Sequence, residues 1–244
     1  MEHDPLTACS QESFLAIVTE SGEPFDYDVL SEVPKPQHFL TQCIHTSSKN
    51  SLMSTSLNDR EKARLHSVSI NYSGAFLNVV PIKSLGLAIE SKVFSAALRL
   101  RLGLTQYQKS SICPVCFCHS DEMGDHSIAC ASAERIERHN DIVRVSAAVV
   151  RDVGARVDLE PSRLFPDDKK RPDFTIASWN GEFTAFDVSV VSPFTSSNPG
   201  KAAGNIGAHL NFAAIKMEEK YSEELSVLGA GFIPLIFDAL GGFP

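Results

Sequence analysis

Cys113, Cys116, His126 and Cys130 form the spacing C-x2-C-x9-H-x3-C. A tight pair on a knuckle and a second pair on a short turn can close a tetrahedron, and three thiolates with one imidazole suit zinc. Four protein ligands leave no open position, so such a metal would be structural: it would organise the loop and orient the helix that follows. Asp125, beside His126, could accept the ring's second N–H as an outer-shell partner, and Cys118 and His119 are surplus groups that could replace a ligand. The plainer reading, reduced and unliganded cysteines in a loop, is the less common meaning of this spacing inside a cell.

A second constellation lies in RPDFTIASWNGEFTAFDVSVVSP, residues 171–193. If Asn180-Gly181 is a two-residue turn, Asp187 faces Phe174 and Asp173 points to the other side of the sheet. If the loop is Trp179-Asn180-Gly181, with Gly181 in a left-handed bulge position, Asp173 falls directly opposite Asp187. The second register also sorts the faces, with Phe174, Ile176, Phe186, Val188 and Val190 on one side, and is preferred. Opposed residues have Cβ atoms about 4.5–5.5 Å apart, close enough for two carboxylates to share Mg²⁺ or Mn²⁺. Basic residues keep them company: Arg163, Lys169, Lys170 and Arg171 precede the hairpin, and Lys216 and Lys220 lie one turn apart on a following helix. Either of those two lysines could balance charge on a phosphodiester under attack. The alternative is a strand-start Asp173, a satisfied Asp187 at a sheet edge and solvated lysines.

The elements that must position these groups follow from periodicity. Residues 1–58, rich in Ser, Thr, Pro and acids, predict a loosely ordered arm with one helix ending near Ser56. In 59–110, NDREKARLHSVS predicts a helix, SGAFLNVVPI a buried turn, and ESKVFSAALRLRLGL a helix stopped at Gly103. Residues 111–133 form the knuckle. Beyond it, SAERIERHNDIVRVSAAVVRDVG places Ile136, Ile142, Val143, Ala147 and Val150 on one stripe, closed by Gly154. ARVDLEP, the hairpin, a long helix through NIGAHLNFAAIKMEEKYSEELSVLG and a last strand GFIPLIF complete the order. The fold class expected is α/β, with helices on a small mixed sheet.

Composition sets limits. The net charge of −8 over 244 residues argues against a chain that coats nucleic acid nonspecifically, though not against a nuclease. No apolar run approaches a membrane span, no signal peptide is visible, and clustered cysteines fit a reducing, intracellular compartment; Cys9 and Cys43 lie apart.

The ordered succession C-x2-C…H-x3-C, RHN (138–140), RPD (171–173), thirteen residues, then DVSV (187–190) resembles the C-terminal zinc knuckle and restriction-enzyme-like, PD-(D/E)XK endonuclease of non-LTR retrotransposons. SGAFLNVVPIKSLGLAIESKVFSAALRLRLGL also looks like the segment preceding that knuckle in reverse-transcriptase-like proteins, so the likeness covers about residues 70–240. It implies a restriction-endonuclease-like fold over 134–244, metal-binding Asp173 and Asp187, a helix lysine at Lys216 or Lys220, structural zinc, catalytic Mg or Mn, DNA as partner with RNA as a second candidate, and a nuclear location. Arg138, Lys169, Lys170 and Arg171 would then face nucleic acid; His139 is favoured to pack beside the knuckle, and Glu160 is either a third acid or, as is commoner, a surface glutamate. The family's usual lysine two places after the second acid is Ser189, no polymerase domain is present, and the chain stops at LGGFP where relatives continue. The rival expectation is therefore a noncatalytic, zinc-supported binding or assembly module, a remnant of such an element.

Overall fold

The computed structural model describes residues 34–55, 57–130, 133–162, 164–165, 171–195 and 199–243. Most of the acidic arm, and Arg163, Lys169 and Lys170, lie outside them. The chain divides into two compact units, Met1–Asn58 and Asp59–Pro244. In the first, α1 (Pro36–Ser54) begins on a proline whose fixed φ suits a first turn and ends with the Thr55 N–H on the Leu52 carbonyl. The helix expected to end near Ser56 is thus present. No described helix is long and apolar enough to cross a membrane.

The second unit opens with α2 (Asp59–Val68), two 3-10 turns at Ala75–Leu77 and Lys83–Leu85, and α3 (Ser91–Leu102), stopped by Gly103 in the left-handed region. The expected buried turn at 73–82 is corrected here: Leu77, Val79, Val80 and Ile82 are exposed. One-turn 3-10 segments offer no continuous stripe to bury, and Leu77 and Val79 instead border an open groove of about 400 Å³. A short hairpin, β1 (Ser111–Ile112) with β2 (His119–Ser120), and α4 (Asp125–Ala129) make the knuckle.

The remainder builds one sheet. In chain order come α5 (Ala133–Asp152), β3 (Val157–Leu159), β4 (Phe174–Trp179), β5 (Glu182–Val191), α6 (Pro199–Gly204), α7 (Ala208–Leu228) and β6 (Gly231–Asp238). Strands lie β3-β4-β5-β6, the first two pairs antiparallel and β5–β6 parallel. The parallel step forces a crossover, which α6 and α7 supply. The mixed α/β class expected from the sequence is therefore present.

Helices cover both faces of the sheet. Val143 of α5 packs with Phe174, Ile176, Phe186 and Val188, while Tyr221 and Leu225 of α7 pack with Ala185 on the reverse face. The Phe174 and Phe186 rings stack at 4.8 Å. Because β5 is covered twice, residues 184–188 form an unbroken buried run, the pattern of a central strand. Asp187 lies inside that run, a buried carboxyl that needs a physical reason. Ile136, placed on the same α5 stripe by spacing, is instead exposed, since the helix's first turn stands clear of the packed sheet.

The hairpin phase combines the two registers. Phe174 pairs with Phe186, Thr175 with Ala185 and Ile176 with Thr184, and continuing that ladder puts Asp173 opposite Asp187. Yet the turn is the two-residue one: Asn180 and Gly181 both have positive φ, 51° and 91°, and Trp179 pairs with Glu182. A bulge between Ile176 and Trp179 absorbs the odd residue. Gly181→Ala is expected to lower stability by about 1–2 kcal/mol, read as a shifted denaturant midpoint, because the added Cβ meets no neighbour and only the left-handed backbone resists it.

Candidate metal centre and acidic site

The knuckle residues converge. Ligand atoms of Cys113, Cys116, His126 and Cys130 all lie within 4.8 Å of one another, the one such group of three or more among the described residues. Cys113 Sγ and Cys116 Sγ each lie 3.7 Å from Cys130 Sγ, and His126 Nε2 is 3.3 Å from Cys116 Sγ. A tetrahedron with zinc–sulfur bonds near 2.3 Å has sulfur–sulfur edges of about 3.8 Å, so the donor set fits a structural metal such as zinc.

Local structure explains the convergence. Cys113 N–H donates to the Cys118 carbonyl and Phe117 N–H to that of Cys113, closing the knuckle, with Phe117 itself left-handed at φ 59°. Asp121 caps the short α4, its two oxygens taking the N–H groups of Asp125 and His126 at 3.1 and 2.8 Å. Backbone N–H groups of Cys116 and Val115 aimed at Cys113 bring its thiol down to about 6, while burial and the neighbouring thiols push Cys130 up to about 12. Cys118 is exposed and outside the four. Asp125 does not serve as the outer-shell partner expected for His126: both its oxygens face the Arg60 guanidinium, which also lies over the Phe194 ring. A bidentate arginine is the stronger claim on a carboxylate.

The two acids lie at the start of the β4–β5 pairing and are held by helices on opposite faces of the sheet, Asp173 by α5 and Asp187 by α7. Asp173 stands just before β4; its Oδ2 accepts the Val188 N–H at 2.6 Å and its Oδ1 meets His139 Nε2 at 3.1 Å. Asp187 takes the Tyr221 hydroxyl at 3.2 Å, with Lys220 Nζ 3.9 Å from its other oxygen. Burial first, then the charge of Asp173, raises the Asp187 carboxyl to about 6. The contact with Asp173 raises His139 against the opposing effect of burial. Tyr221 is fully buried; its hydroxyl accepts from Lys220 Nζ at 2.7 Å and shares its proton between Asp187 and the Arg171 carbonyl, so burial and Asp187 push its pKa up.

The lysines separate. Lys220 reaches Asp187, whereas Lys216 Nζ lies 4.6 Å from the centroid of the Phe212 ring. Arg171 pairs with Glu160 at 3.3 Å, and Glu160, left-handed at φ 45°, donates its backbone N–H to the Asp173 carbonyl. The glutamate is thus a surface partner of arginine, as its commoner reading had it. Arg138 is half-buried and its Nη2 donates to the Ile128 carbonyl, so the guanidinium expected to face nucleic acid is turned toward the knuckle. His139, favoured for packing beside the knuckle, instead holds Asp173. An open cleft of about 420 Å³ lined by Asn140, Arg144, Glu160 and Asp173 gives Asp173 access to solvent from the α5 side.

Tyr221 is the participant that motif spacing missed, although an aromatic on the apolar stripe with Leu225 signals that this face of α7 meets the sheet. No family model and no curated protein matches the chain.

Proposed function

We propose that the protein is a metal-dependent DNA endonuclease with a zinc-supported knuckle, of the kind the retrotransposon resemblance implies. The observation that carries this reading is the buried Asp187, facing Asp173 across the hairpin by register and with Lys220 Nζ 3.9 Å away. Two acids forced together in a low-dielectric site repel unless a proton or a cation joins them. The small mixed sheet with helices on both faces supports the reading at the level of its α/β class.

In this reading Asp173 and Asp187 hold Mg²⁺ or Mn²⁺, which when bound polarises the phosphodiester and lowers the pKa of an attacking water. Lys220 keeps positive charge at the site against the negative charge that grows on phosphorus, and Tyr221 fixes both Lys220 and Asp187 through its hydroxyl. His139 and the Val188 amide orient Asp173. Arg171, and Lys169 and Lys170 just before it in the sequence, would supply positive charge for the DNA backbone.

Nicking of supercoiled plasmid in Mg²⁺ tests this. Lys220→Ala is expected to lower the rate by about 10²-fold or more, the scale of losing one charge-stabilising group, and Lys216→Ala by less than about threefold. Equal effects of the two would remove Lys220 from its role. A noncatalytic DNA-binding module, a remnant of such an element, is the second reading, favoured by Ser189 at the family's lysine position. Mg²⁺-dependent nicking that disappears in both aspartate variants excludes it.

A further inference from the structure

Two consecutive residues of α5 reach two different sites. Arg138 Nη2 donates to the carbonyl of Ile128 at 3.3 Å, within α4, the turn that carries His126 and leads to Cys130; its Nε is buried with no partner among the described residues. His139 Nε2 meets Asp173 Oδ1 at 3.1 Å, and the second oxygen of Asp173 takes the Val188 N–H at 2.6 Å. Neighbours on a helix point about 100° apart with a rise of about 1.5 Å, so one rigid turn can serve the knuckle with one side chain and the acid with the next.

We propose that Arg138 and His139 are positioning residues forming a brace through which the metal-closed knuckle holds Asp173 in place for a divalent cation, an inference that rests on reading the acid pair as a cation site. The Ile128 carbonyl lies in α4 between the ligands His126 and Cys130, so closing the knuckle on a metal adds a constraint at the end of α4 to those that Asp121 and Arg60 place on its first turn. Without it, a partly buried guanidinium loses a hydrogen-bond acceptor, and the turn of α5 that carries it is released from one end. His139 lies on that turn and moves with it, so Asp173 keeps only the Val188 amide. The brace explains why an arginine facing away from the acids sits beside a histidine facing them. Orienting partners of metal ligands commonly change affinity by about 10–100-fold, which sets the scale expected.

The test uses the full chain, zinc-loaded and zinc-chelated, as wild type and as Arg138→Met, which keeps the length of the stem and removes its donors. NMR amide exchange of Val188 is read against that of Ser189, its neighbour on β5, and Mn²⁺ affinity is read by electron paramagnetic resonance. Chelating zinc from wild type is expected to speed Val188 exchange about tenfold relative to Ser189 and to weaken Mn²⁺ binding about tenfold. Zinc-loaded Arg138→Met shows the same two changes, and chelating its zinc adds less than about twofold, because both steps cut one connection. Arg138→Lys, which restores a charged donor, recovers part of each.

The brace is overturned if Val188 exchange is the same with and without zinc, or if the effects of zinc removal and Arg138→Met multiply. Should zinc removal expose Ser189 equally, the zinc-loaded comparison of Arg138→Met with wild type decides by itself. Wild type that binds no Mn²⁺ while Val188 follows zinc and Arg138 refutes the cation reading of the acid pair and leaves the knuckle-to-Asp173 brace standing.

Discussion

Replacing Asp187 with asparagine is expected to abolish magnesium-dependent nicking and, in the same preparation, to raise the stability of the magnesium-free protein at pH 7. The carboxyl is raised from 3.8 to about 6, chiefly by burial and then by Asp173. The folded state therefore binds this proton more tightly than the unfolded chain. Its stabilising contribution is complete below about pH 4 and is lost as pH rises through about 6, leaving a penalty at pH 7 on the order of 2–3 kcal/mol. Asparagine has nearly the same shape, carries no charge and still accepts from the Tyr221 hydroxyl. Thermal melts of zinc-loaded protein in magnesium-free buffer should show wild type losing more stability than Asp187→Asn between pH 5 and pH 7. Adding Mg²⁺ at pH 7 should then raise the wild-type Tm and leave the variant unchanged. Superimposable curves for the two proteins would show that Asp187 carries no such strain.

The second large effect concerns the knuckle. Purified protein is expected to carry one zinc per chain in a three-sulfur, one-nitrogen environment. Cys116→Ser should lose it, while Cys118→Ser keeps it at unit stoichiometry, because Cys118 stands outside the four converging ligands. Apparent binding free energies of about 10–16 kcal/mol at structural zinc sites mean that one ligand lost is felt by the whole knuckle. Zinc-to-protein ratios by elemental analysis, with X-ray absorption for the ligand set, read this out. Zinc retained by Cys116→Ser and lost by Cys118→Ser would reassign the site.

Much of this arrangement was legible in the sequence, and the misses have physical causes. Face sorting of Phe174, Ile176, Phe186 and Val188 places the two acids opposite one another because an error of one residue would turn every ring into solvent. The same pattern is silent on the tip, where a two-residue turn and a bulge give the same phase as a three-residue loop. Lys216 and Lys220 differ by only about 40° around the helix axis, too little for periodicity to choose between them. The choice lies in the neighbour: Tyr221, fully buried against β5 and β6, fixes the rotation of α7 and brings Lys220 to the acids. His139 is four residues before Val143 and eight before Ala147, both buried, so its inward orientation is legible in the stripe once the histidine is counted as part of it. The exposed apolar stretch at 77–82 is the opposite case, since hydrophobicity without a partner element does not ensure burial.

The parallel pairing of β5 with β6 also sets the order in which the two clusters of side chains form. All four candidate metal ligands fall within residues 113–130, so the knuckle can close through local contacts soon after that stretch of chain exists. Asp187 meets Lys220 and Tyr221 only after the crossover has brought α7 back over the sheet and β6 has docked, a late event for a long-range pairing. A nascent or partly folded chain would therefore have its four knuckle ligands together while Asp187, Lys220 and Tyr221 are still apart.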